Sequence, residues 1–261
     1  MQSLALFPEN ILKGIKYLWT DLDGTLTVNG KLSARVYQAL ELLRSRKINI
    51  FVVTGRPAGW CDALIRLFPI DGIVGENGAF VMTQDGHTQT TLTHPATAGE
   101  SAKLKLMAIK DTILTAIPGS RVAKDQAYRL YDLAIDFAEE GSDLGIEVAK
   151  QIKDIFLSHG AHAKISSIHV NGWFGDYDKL SMVQWFSENY LQCNLQVNNH
   201  EHLFCGDSPN DEPMFAFFKN TVGMANVRPF AGCMTTLPGY VTERSEGEGF
   251  CELCDLWQTC K

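Results

Sequence analysis

The sequence predicts an α/β protein with a Rossmann-like parallel-sheet core into which a smaller α+β domain is inserted. In the first third, short apolar runs alternate with amphipathic helical patterns, as in a parallel sheet covered by helices on both faces. In the middle third, a hairpin pattern and alternating strands indicate a largely antiparallel sheet. The first pattern resumes after Asp178. We therefore expect residues 1–82 and 175–261 to form the core and residues 83–174 the inserted domain.

The elements of the first third follow from apolar runs and their boundaries. Three such runs predict buried strands at Tyr17–Trp19, Ile48–Val53 and Gly72–Val74. Ser33 can cap a helix between the first two strands, and a helix over Ala58–Leu67 must end before Pro69. Polar clusters follow the first two strands, at the edge where parallel sheets bind ligands.

The remaining elements are read from the same kinds of pattern. The middle third predicts strands Gly78–Met82 and Thr88–Thr93, helix Glu100–Ile117, strand Tyr128–Phe137, helix Ser142–Ser158 and strand His162–Val170. The last third predicts helix Lys179–Tyr190, strand His202–Cys205, helix Met214–Phe218 and strands Thr221–Gly223 and Tyr240–Thr242.

Composition excludes several classes of protein. The formal net charge of −7 gives no basic surface for nucleic acid, and no apolar run approaches the ~18–20 residues of a membrane span. Pro8, Glu9 and Asn10 interrupt the N-terminal apolar stretch, so it does not resemble a signal peptide. Seven irregularly spaced cysteines indicate no disulfide framework. We expect a cytoplasmic monomer or homodimer that binds a small molecule.

Two cysteine and histidine patterns predict no metal or redox site. Cys251-x-x-Cys254, with Cys260 nearby, lacks a second pair at metal-ligand spacing, so packed and unreactive thiols are expected. His200 and His202 are expected to be solvated imidazoles at the start of a strand.

Asp21 and Asp23 follow the first strand and point in similar directions if the chain stays extended. Two crowded carboxylates suit a hard divalent cation such as Mg²⁺, which prefers oxygen ligands. One of them could also attack phosphorus while the other supplies and removes the proton. A simple turn is the alternative interpretation.

A second acidic cluster, Gly206-Asp207-Ser208-Pro209-Asn210-Asp211, follows another short apolar strand. If that strand lies beside the first, four carboxylates converge on one point, which is strongly unfavourable without a metal ion. A helix cap and surface turn would also account for Asp207 and Asp211, although the first acidic motif makes this less attractive.

Thr54 and Gly55 end the second apolar run, where a hydroxyl and backbone N–H groups can hold phosphate oxygens. Such a string also occurs in ordinary turns. Lys179 opens a predicted helix, and a single lysine is usually a solvated surface residue. Its assignment to a site therefore depends on the other motifs.

Together, Asp-Leu-Asp-Gly-Thr, Val-Val-Thr-Gly-Arg, a lysine and Gly-Asp-Ser-Pro-Asn-Asp resemble the haloacid dehalogenase-like phosphohydrolase superfamily over essentially the whole chain. The insert between Thr54 and Lys179 is similar to the branch with a large α/β cap after the second motif. That branch includes phosphatases acting on sucrose phosphate and mannosyl-phosphoglycerate, and the eukaryotic-type phosphomannomutases. The string Gly75-Glu76-Asn77-Gly78-Ala79 resembles the segment that leads into such a cap.

The resemblance implies an Mg²⁺-dependent phosphatase that works through an aspartyl-phosphate. Asp21 would be the nucleophile, and Asp23 the acid that protonates the leaving oxygen and then activates water. Thr54 and Gly55 would hold the transferring phosphoryl group, and Lys179 would offset its charge. The resemblance implies a magnesium site of Asp21, Asp23, Asp207 and Asp211, in which Asp207 binds the ion directly, Asp211 holds it from nearby or through water, and Asp23 contributes its main-chain oxygen.

The inserted domain would close over the site and provide substrate contacts. The polar candidates on its predicted strands are Arg129, Asp132, Asp136, His162, Lys164 and His169, and Arg56 is a further candidate in the core. Arg129 is favoured for a second anionic group because its planar fork suits a carboxylate or phosphate. For each candidate on the inserted domain, a solvent-facing position on the sheet is the alternative, and for Arg56 the alternative is helix capping or a surface ion pair.

The leading functional hypothesis is hydrolysis of a sugar phosphate or phosphorylated glycoside. A phosphomutase or phosphotransferase on the same scaffold is an alternative, although similar mutases usually lack the residue corresponding to Thr54. A non-catalytic sugar-phosphate sensor is a third interpretation, which the full set of acids, threonine and lysine disfavours.

Overall fold

A computed structural model of the protein describes residues 1–166 and 168–259. Its strands are β1 Gln2–Ser3, β2 Tyr17–Thr20, β3 Thr27–Val28, β4 Lys31–Leu32, β5 Asn49–Val53, β6 Gly72–Gly75, β7 Phe80–Asp85, β8 Thr88–Thr93, β9 Arg121–Val122, β10 Leu133–Asp136, β11 His162–Ile165, β12 His169–Trp173, β13 His202–Gly206, β14 Asn220–Gly223 and β15 Tyr240–Val241. Its α-helices are α1 Glu9–Gly14, α2 Ala34–Ser45, α3 Ala58–Leu67, α4 Glu100–Ala116, α5 Ile146–Ser158, α6 Lys179–Asn189, α7 Leu195–Asn198, α8 Glu212–Phe217 and α9 Glu246–Thr259.

The core is one large sheet, and the predicted α/β fold is confirmed. Within the described chain, its strand order is β1-β15-β14-β13-β2-β5-β6-β7-β8. The pairs from β1 to β6 are parallel, whereas β7 and β8 form an antiparallel hairpin at one edge. Helices cover both faces, as the alternation of strands and helices in the sequence predicted.

The central strands separate two apolar layers because successive side chains point to opposite faces. On one face, the central strands contribute the buried side chains of Leu18, Ile50 and Leu203. On the other face, they contribute those of Trp19, Phe51 and Phe204. Strands buried on both sides explain the nearly continuous apolar runs in the sequence.

The inserted domain has its own sheet and its own core. Its antiparallel strands have the order β11-β12-β10-β9, with α4 and α5 packed against them. Buried side chains from both helices and the sheet, such as Ile113, Phe156 and Val170, form this separate cluster. The predicted antiparallel α+β unit is therefore present.

The structure differs from the expected elements at three places. The predicted boundary at residue 83 falls inside β7, so the hairpin extends the core sheet and the second sheet is confined to residues 121–173. The predicted strand Tyr128–Phe137 is regular only in β10, because the preceding backbone N–H groups bind a core carboxylate. The predicted strand His162–Val170 is instead the two strands β11 and β12.

The C-terminal cysteines lie in α9 and pack into the core. Cys251 and Cys254 are buried free thiols, as predicted, and burial raises the pKa of Cys251 to about 11. Cys260 lies outside the described residues. Among the described residues, no helix combines the length and apolar character needed to cross a bilayer.

His202 is fully buried, so the expectation that it is solvated is wrong, whereas His200 is exposed. The His202 ring stacks on Tyr17 with centroids 4.5 Å apart, and Trp19 Nε1 donates to its Nδ1 at 3.0 Å. Burial lowers the pKa of His202 to about 4. A proton on Nδ1 would also remove the acceptor that Trp19 uses.

This arrangement predicts an acid-sensitive contribution to stability. Because the unfolded imidazole has a pKa of about 6.5, His202 binds a proton in the unfolded chain at a pH where it stays neutral in the folded protein. The free energy of unfolding therefore falls as the pH is lowered from about 6.5 to 4. In His202→Asn, the amide oxygen can still accept from Trp19 but does not titrate. We expect the free energy of unfolding in urea to fall from pH 7 to pH 5 in both proteins, and the fall to be smaller by about 1–2 kcal/mol in the variant than in the wild type. An unchanged fall would contradict this assignment.

Candidate active site

Three neighbouring parallel strands end at the same edge of the core sheet, and a predicted site residue follows each. Asp207 follows β13, Asp21 follows β2 and Thr54 follows β5. Lys179 begins α6, whose first residue reaches the same edge from the inserted domain. The fold therefore brings together motifs that are far apart in the sequence.

Asp21, Asp207 and Asp211 form a buried carboxylate cluster. One carboxylate oxygen from each lies within 4.8 Å of the others. The Lys179 ammonium donates to Asp21 Oδ1 at 2.7 Å and to Asp211 Oδ1 at 2.9 Å. All four residues are at most 5% exposed, so these charges are screened poorly by water.

The acids are held by further hydrogen bonds in the loops that carry them. Asp211 Oδ2 accepts from the backbone N–H groups of Asp207 at 3.0 Å and Ser208 at 3.3 Å. The Asn226 side-chain amide donates to Asp207 Oδ2 at 2.8 Å and to the carbonyl of Gly24 at 3.0 Å. Sequence reasoning missed Asn226, which lies outside every recognised motif.

Two glycines permit this close packing. Gly24 has a φ of +77°, and a Cβ there would lie 2.4 Å from Asp207 Oδ2. Gly78 has a φ of +110°, and a Cβ there would lie 2.1 Å from the carbonyl oxygen of Asp178. A side chain at the second position would therefore displace the turn that presents Lys179.

The electrostatics of the cluster suit a divalent cation. Burial raises the pKa of Asp21 and of Asp207, and neighbouring acids raise both further, while Lys179 acts in the opposite direction. One lysine cannot balance three buried carboxylates, and the unbalanced charge is costly. Three converging oxygen donors fit Mg²⁺, which is bound by carboxylates and retains waters.

The carboxylate of Asp23 does not join this cluster. It accepts two hydrogen bonds from Arg56, from Nε and Nη2, each at 2.9 Å. The predicted set of four metal-binding acids therefore contributes three carboxylates, and only the main-chain oxygen of Asp23 remains as a predicted ligand. Arg56, predicted as a substrate contact, is paired with this acid.

A small cavity of about 30 Å³ lies over Asp21, between the core and the inserted domain. Thr54 and Gly55 line it from the core, and Ser166, His169 and Asn171 line it from the inserted domain. Thr54 Oγ1 accepts from the backbone N–H of Arg56 at 3.0 Å, which leaves its own hydroxyl proton free to be donated. The predicted phosphate-binding residues thus face the inserted domain.

Arg129 occupies a different position from the one its predicted role requires. Its Nη1 donates to Asp132 Oδ1 and to the carbonyl oxygen of Gly55, both at 2.9 Å. Its Nε and Nη2 donate to Asp125 at 3.1 Å. Because the guanidinium is buried and paired with two carboxylates, it joins the inserted domain to the core and is not available for a second anionic group.

Asp132 is also a structural residue. Its carboxylate is buried and accepts from Asn171 at 2.9 Å as well as from Arg129. Asp136, expected on the same polar face, accepts from Arg121 and from the backbone N–H groups that follow it. Neither carboxylate lines the cavity over Asp21.

The other three candidates on the inserted domain have different surroundings. Lys164 lines a narrow groove with Lys179 and Asn210, beside the cavity rather than in it. His162 is exposed. His169 is buried and lines the cavity, so of the three it is the one placed to contact a substrate.

Glu76 is an important residue that sequence reasoning did not single out. Its buried carboxylate accepts backbone hydrogen bonds from Ala58 in the core at 3.0 Å and from Leu130 and Tyr131 in the inserted domain at 2.9 and 2.6 Å. Burial raises its pKa despite these donors. In the sequence, Glu76 appeared only within the string Gly75–Ala79 that resembles the segment leading into a cap, and no role was assigned to it.

Comparisons with known proteins agree with this architecture. Residues 18–117 match the family model of haloacid dehalogenase-like hydrolases, whereas no curated protein matches the chain. Thermoplasma acidophilum 0175 is 20% identical with a TM-score of 0.68, over 93% of this chain and 99% of that one. BT1666 from Bacteroides thetaiotaomicron, described among phosphatases of this superfamily, is 20% identical with a TM-score of 0.61, over 94% of each chain. The subclass IIB sugar phosphatase BT4131 is 15% identical with a TM-score of 0.64, and the match covers 94% of this chain and 98% of that one.

The family model agrees with the superfamily resemblance of the sequence over residues 18–117. At these identities, the solved structures establish the shared fold and no more. The family model covers the stretch that holds the first acidic motif and Thr54.

Glu76 provides a test of how the two domains are joined. In Glu76→Gln, the side-chain NH₂ group replaces one acceptor oxygen. The buried backbone N–H groups that donate to that oxygen then lose their hydrogen-bond acceptor. We expect the free energy of unfolding in urea to fall by about 2–4 kcal/mol, because hydrogen bonds to a buried charged group are each worth about 1.5–3 kcal/mol. Glu41→Gln, an exposed change on α2, is the control and should be neutral. Equal stability of the two variants would refute the joining role.

Proposed function

We propose that the chain is a haloacid dehalogenase-like hydrolase, and that it works as an Mg²⁺-dependent phosphatase that forms an aspartyl-phosphate on Asp21. The observation that carries this proposal is the carboxylate cluster around Lys179, which faces a cavity closed by the inserted domain. A carboxylate held in place, a lysine and a hydroxyl at one sheet edge suit phosphoryl transfer, in which positioning and charge neutralisation do most of the work.

The reaction has two balanced steps. An oxygen of Asp21 attacks phosphorus as the bond to the leaving oxygen breaks, and Asp23, which enters this step in its protonated form, gives that oxygen its proton. Water then attacks the phosphorus of the aspartyl-phosphate and gives a proton back to Asp23, which releases phosphate and restores Asp21. Lys179 fixes Asp21 Oδ1 at 2.7 Å, and Thr54 donates to the transferring group.

Asp21, Asp207 and Asp211 are the residues that would hold Mg²⁺, together with the main-chain oxygen of Asp23. The cation would neutralise charge on the transferring phosphoryl group. This assignment is supported by the three convergent carboxylates and by the charge that Lys179 leaves unbalanced.

The proposed substrate is a sugar phosphate or a similar hydroxyl-rich phosphate ester. The cavity has neutral polar groups from Ser166, Asn171 and Asn210, which suit hydroxyl groups. Both of its arginines, Arg56 and Arg129, already bind acidic side chains, which disfavours a second anionic group on the substrate. The sugar phosphatase BT4131 among the structural neighbours agrees with this class.

Substrate entry requires movement of the inserted domain. The cavity of about 30 Å³ has room for a few water molecules only, and a sugar phosphate is larger. We include in the proposal a cytoplasmic monomer or homodimer, as composition suggested. Phosphotransfer between sugars and a non-catalytic sensor are the alternatives that the first experiment distinguishes.

The first prediction concerns the nucleophile. The wild-type protein with Mg²⁺ should release phosphate from neutral sugar phosphates, and more efficiently from glucose 6-phosphate than from 6-phosphogluconate. Asp21→Asn, which is nearly isosteric, should lower kcat by at least about a thousandfold because the neutral amide is a poor nucleophile. Its melting temperature should show that the fold is intact.

The controls separate the alternative functions. Activity that persists in Asp21→Asn would reveal a contaminating phosphatase or a wrong nucleophile. Isomerised sugar phosphate with little free phosphate would instead indicate a mutase. A folded wild-type protein that binds sugar phosphates without turning them over would indicate a sensor.

The second prediction concerns the cation. Mg²⁺ should raise the melting temperature of the metal-free protein by several degrees, because it binds the folded state and relieves repulsion in the cluster. EDTA should abolish phosphate release, and excess Mg²⁺ should restore it. Asp207→Asn should remove most of the thermal shift, whereas the exposed control Asp143→Asn should keep it. Full activity in EDTA would contradict the metal assignment.

A further inference from the structure

A chain of polar contacts connects the inserted domain to Asp23. Asp23 is the acid of the proposed reaction, and among the described residues its carboxylate accepts hydrogen bonds from Arg56 alone. Its side chain is 27% exposed, so no packing of comparable strength fixes it. The orientation of Asp23 therefore follows the orientation of the Arg56 guanidinium.

Arg56 is in turn held from the inserted domain. Its Nη1 donates to Glu139 Oε1 at 3.2 Å and lies 3.8 Å from Asp125 Oδ2. Its guanidinium also lies over the Trp60 ring, 4.5 Å from the ring centroid. The Trp60 ring packs against one face of the Arg56 guanidinium. Glu139 binds Nη1 and thereby sets the direction in which Nε and Nη2 point toward Asp23.

Glu139 has a defined position of its own. The His169 Nε2 atom lies 2.8 Å from Glu139 Oε2, and the backbone N–H of Glu139 donates to Asp136 at 2.8 Å. His169 and Arg56 hold the pKa of Glu139 at about 2, so it remains a carboxylate throughout the neutral range. His169, Arg56 and Asp23 all line the cavity over Asp21.

We propose that Glu139 is a positioning residue which, through Arg56, holds Asp23 in line with the leaving oxygen when the inserted domain is seated. This inference rests on the proposed phosphatase function, because it assigns the proton transfer to Asp23. Glu139 touches no reacting atom. When the inserted domain lifts, Arg56 loses Glu139 and Asp125, and the fork that orients Asp23 is no longer fixed.

The consequence depends on the leaving group. An alkoxide must take the proton from Asp23 as the bond to phosphorus breaks, whereas 4-nitrophenolate leaves without one. A misplaced Asp23 therefore slows transfer from a sugar phosphate but not from 4-nitrophenyl phosphate. The ratio kcat/KM reports this first transfer for both substrates, whereas kcat also contains the later attack by water.

The experiment compares kcat/KM for the best neutral sugar phosphate and for 4-nitrophenyl phosphate. Glu139→Gln keeps the shape of the side chain and removes its charge. We expect kcat/KM to fall by about tenfold to a hundredfold for the sugar phosphate and by less than about threefold for 4-nitrophenyl phosphate. Arg56→Lys, which keeps the charge but not the fork, should show the same selective loss.

The matched control is the adjacent Glu140→Gln. Glu140 pairs with Lys124 at 2.6 Å on the surface, so Glu140→Gln should leave kcat/KM unchanged for both substrates. Equal losses on both substrates in Glu139→Gln and in Arg56→Lys would show a merely structural role and overturn the inference while leaving the phosphatase function intact. A folded wild-type protein that releases phosphate from neither substrate would overturn both.

Discussion

The structure depends on the neutralisation of three carboxylates buried at one edge of a sheet. Asp21 and Lys179 are 158 positions apart, yet their side chains meet at 2.7 Å. The chain leaves the core sheet after β8, builds the inserted domain and returns at α6 to the edge where Asp21 lies. Removing Lys179 would leave the three buried carboxylates without a cationic partner, and breaking a buried pair in this way typically costs about 3–5 kcal/mol. This pairing thus anchors the point at which the chain returns from the inserted domain to the acidic site.

Polar contacts hold the inserted domain over that edge, and they differ in strength. Glu76 is buried and binds backbone N–H groups on both sides of the boundary. The Arg56–Glu139 contact is more open, because the Glu139 side chain is 32% exposed. A partly exposed ion pair contributes little to stability, typically about 0–1 kcal/mol, and is the easier of the two to break. Opening for a substrate is therefore expected to separate Arg56 from Glu139 while Glu76 acts as the fixed point.

Strands, helices and the acidic site could be predicted from the sequence because local patterns determine them. The bounds of α3 and the positions of Asp21, Asp207 and Asp211 at strand ends follow from apolar runs and turn residues. The role of Arg129 could not be predicted from the sequence, because the partners of a buried arginine are set by packing between distant segments. The hairpin β7–β8 pairs with the neighbouring strand β6, but its strand pattern does not indicate to which of the two sheets it belongs. His202 was misjudged because alternation in a short strand does not reveal that both of its faces are covered.

The loop Thr54-Gly55-Arg56 joins the phosphate site, the acid and the inserted domain. Thr54 faces the cavity, and Arg56 binds both Asp23 and Glu139. The carbonyl of Gly55 accepts from Arg129, and the absence of a side chain on Gly55 allows Asn77 within 3.1 Å of where a Cβ would lie. Three consecutive residues thus connect the cavity, Asp23 and the inserted domain. A change in how the inserted domain sits must pass through this loop, so substrate closure and the geometry of proton transfer cannot vary independently.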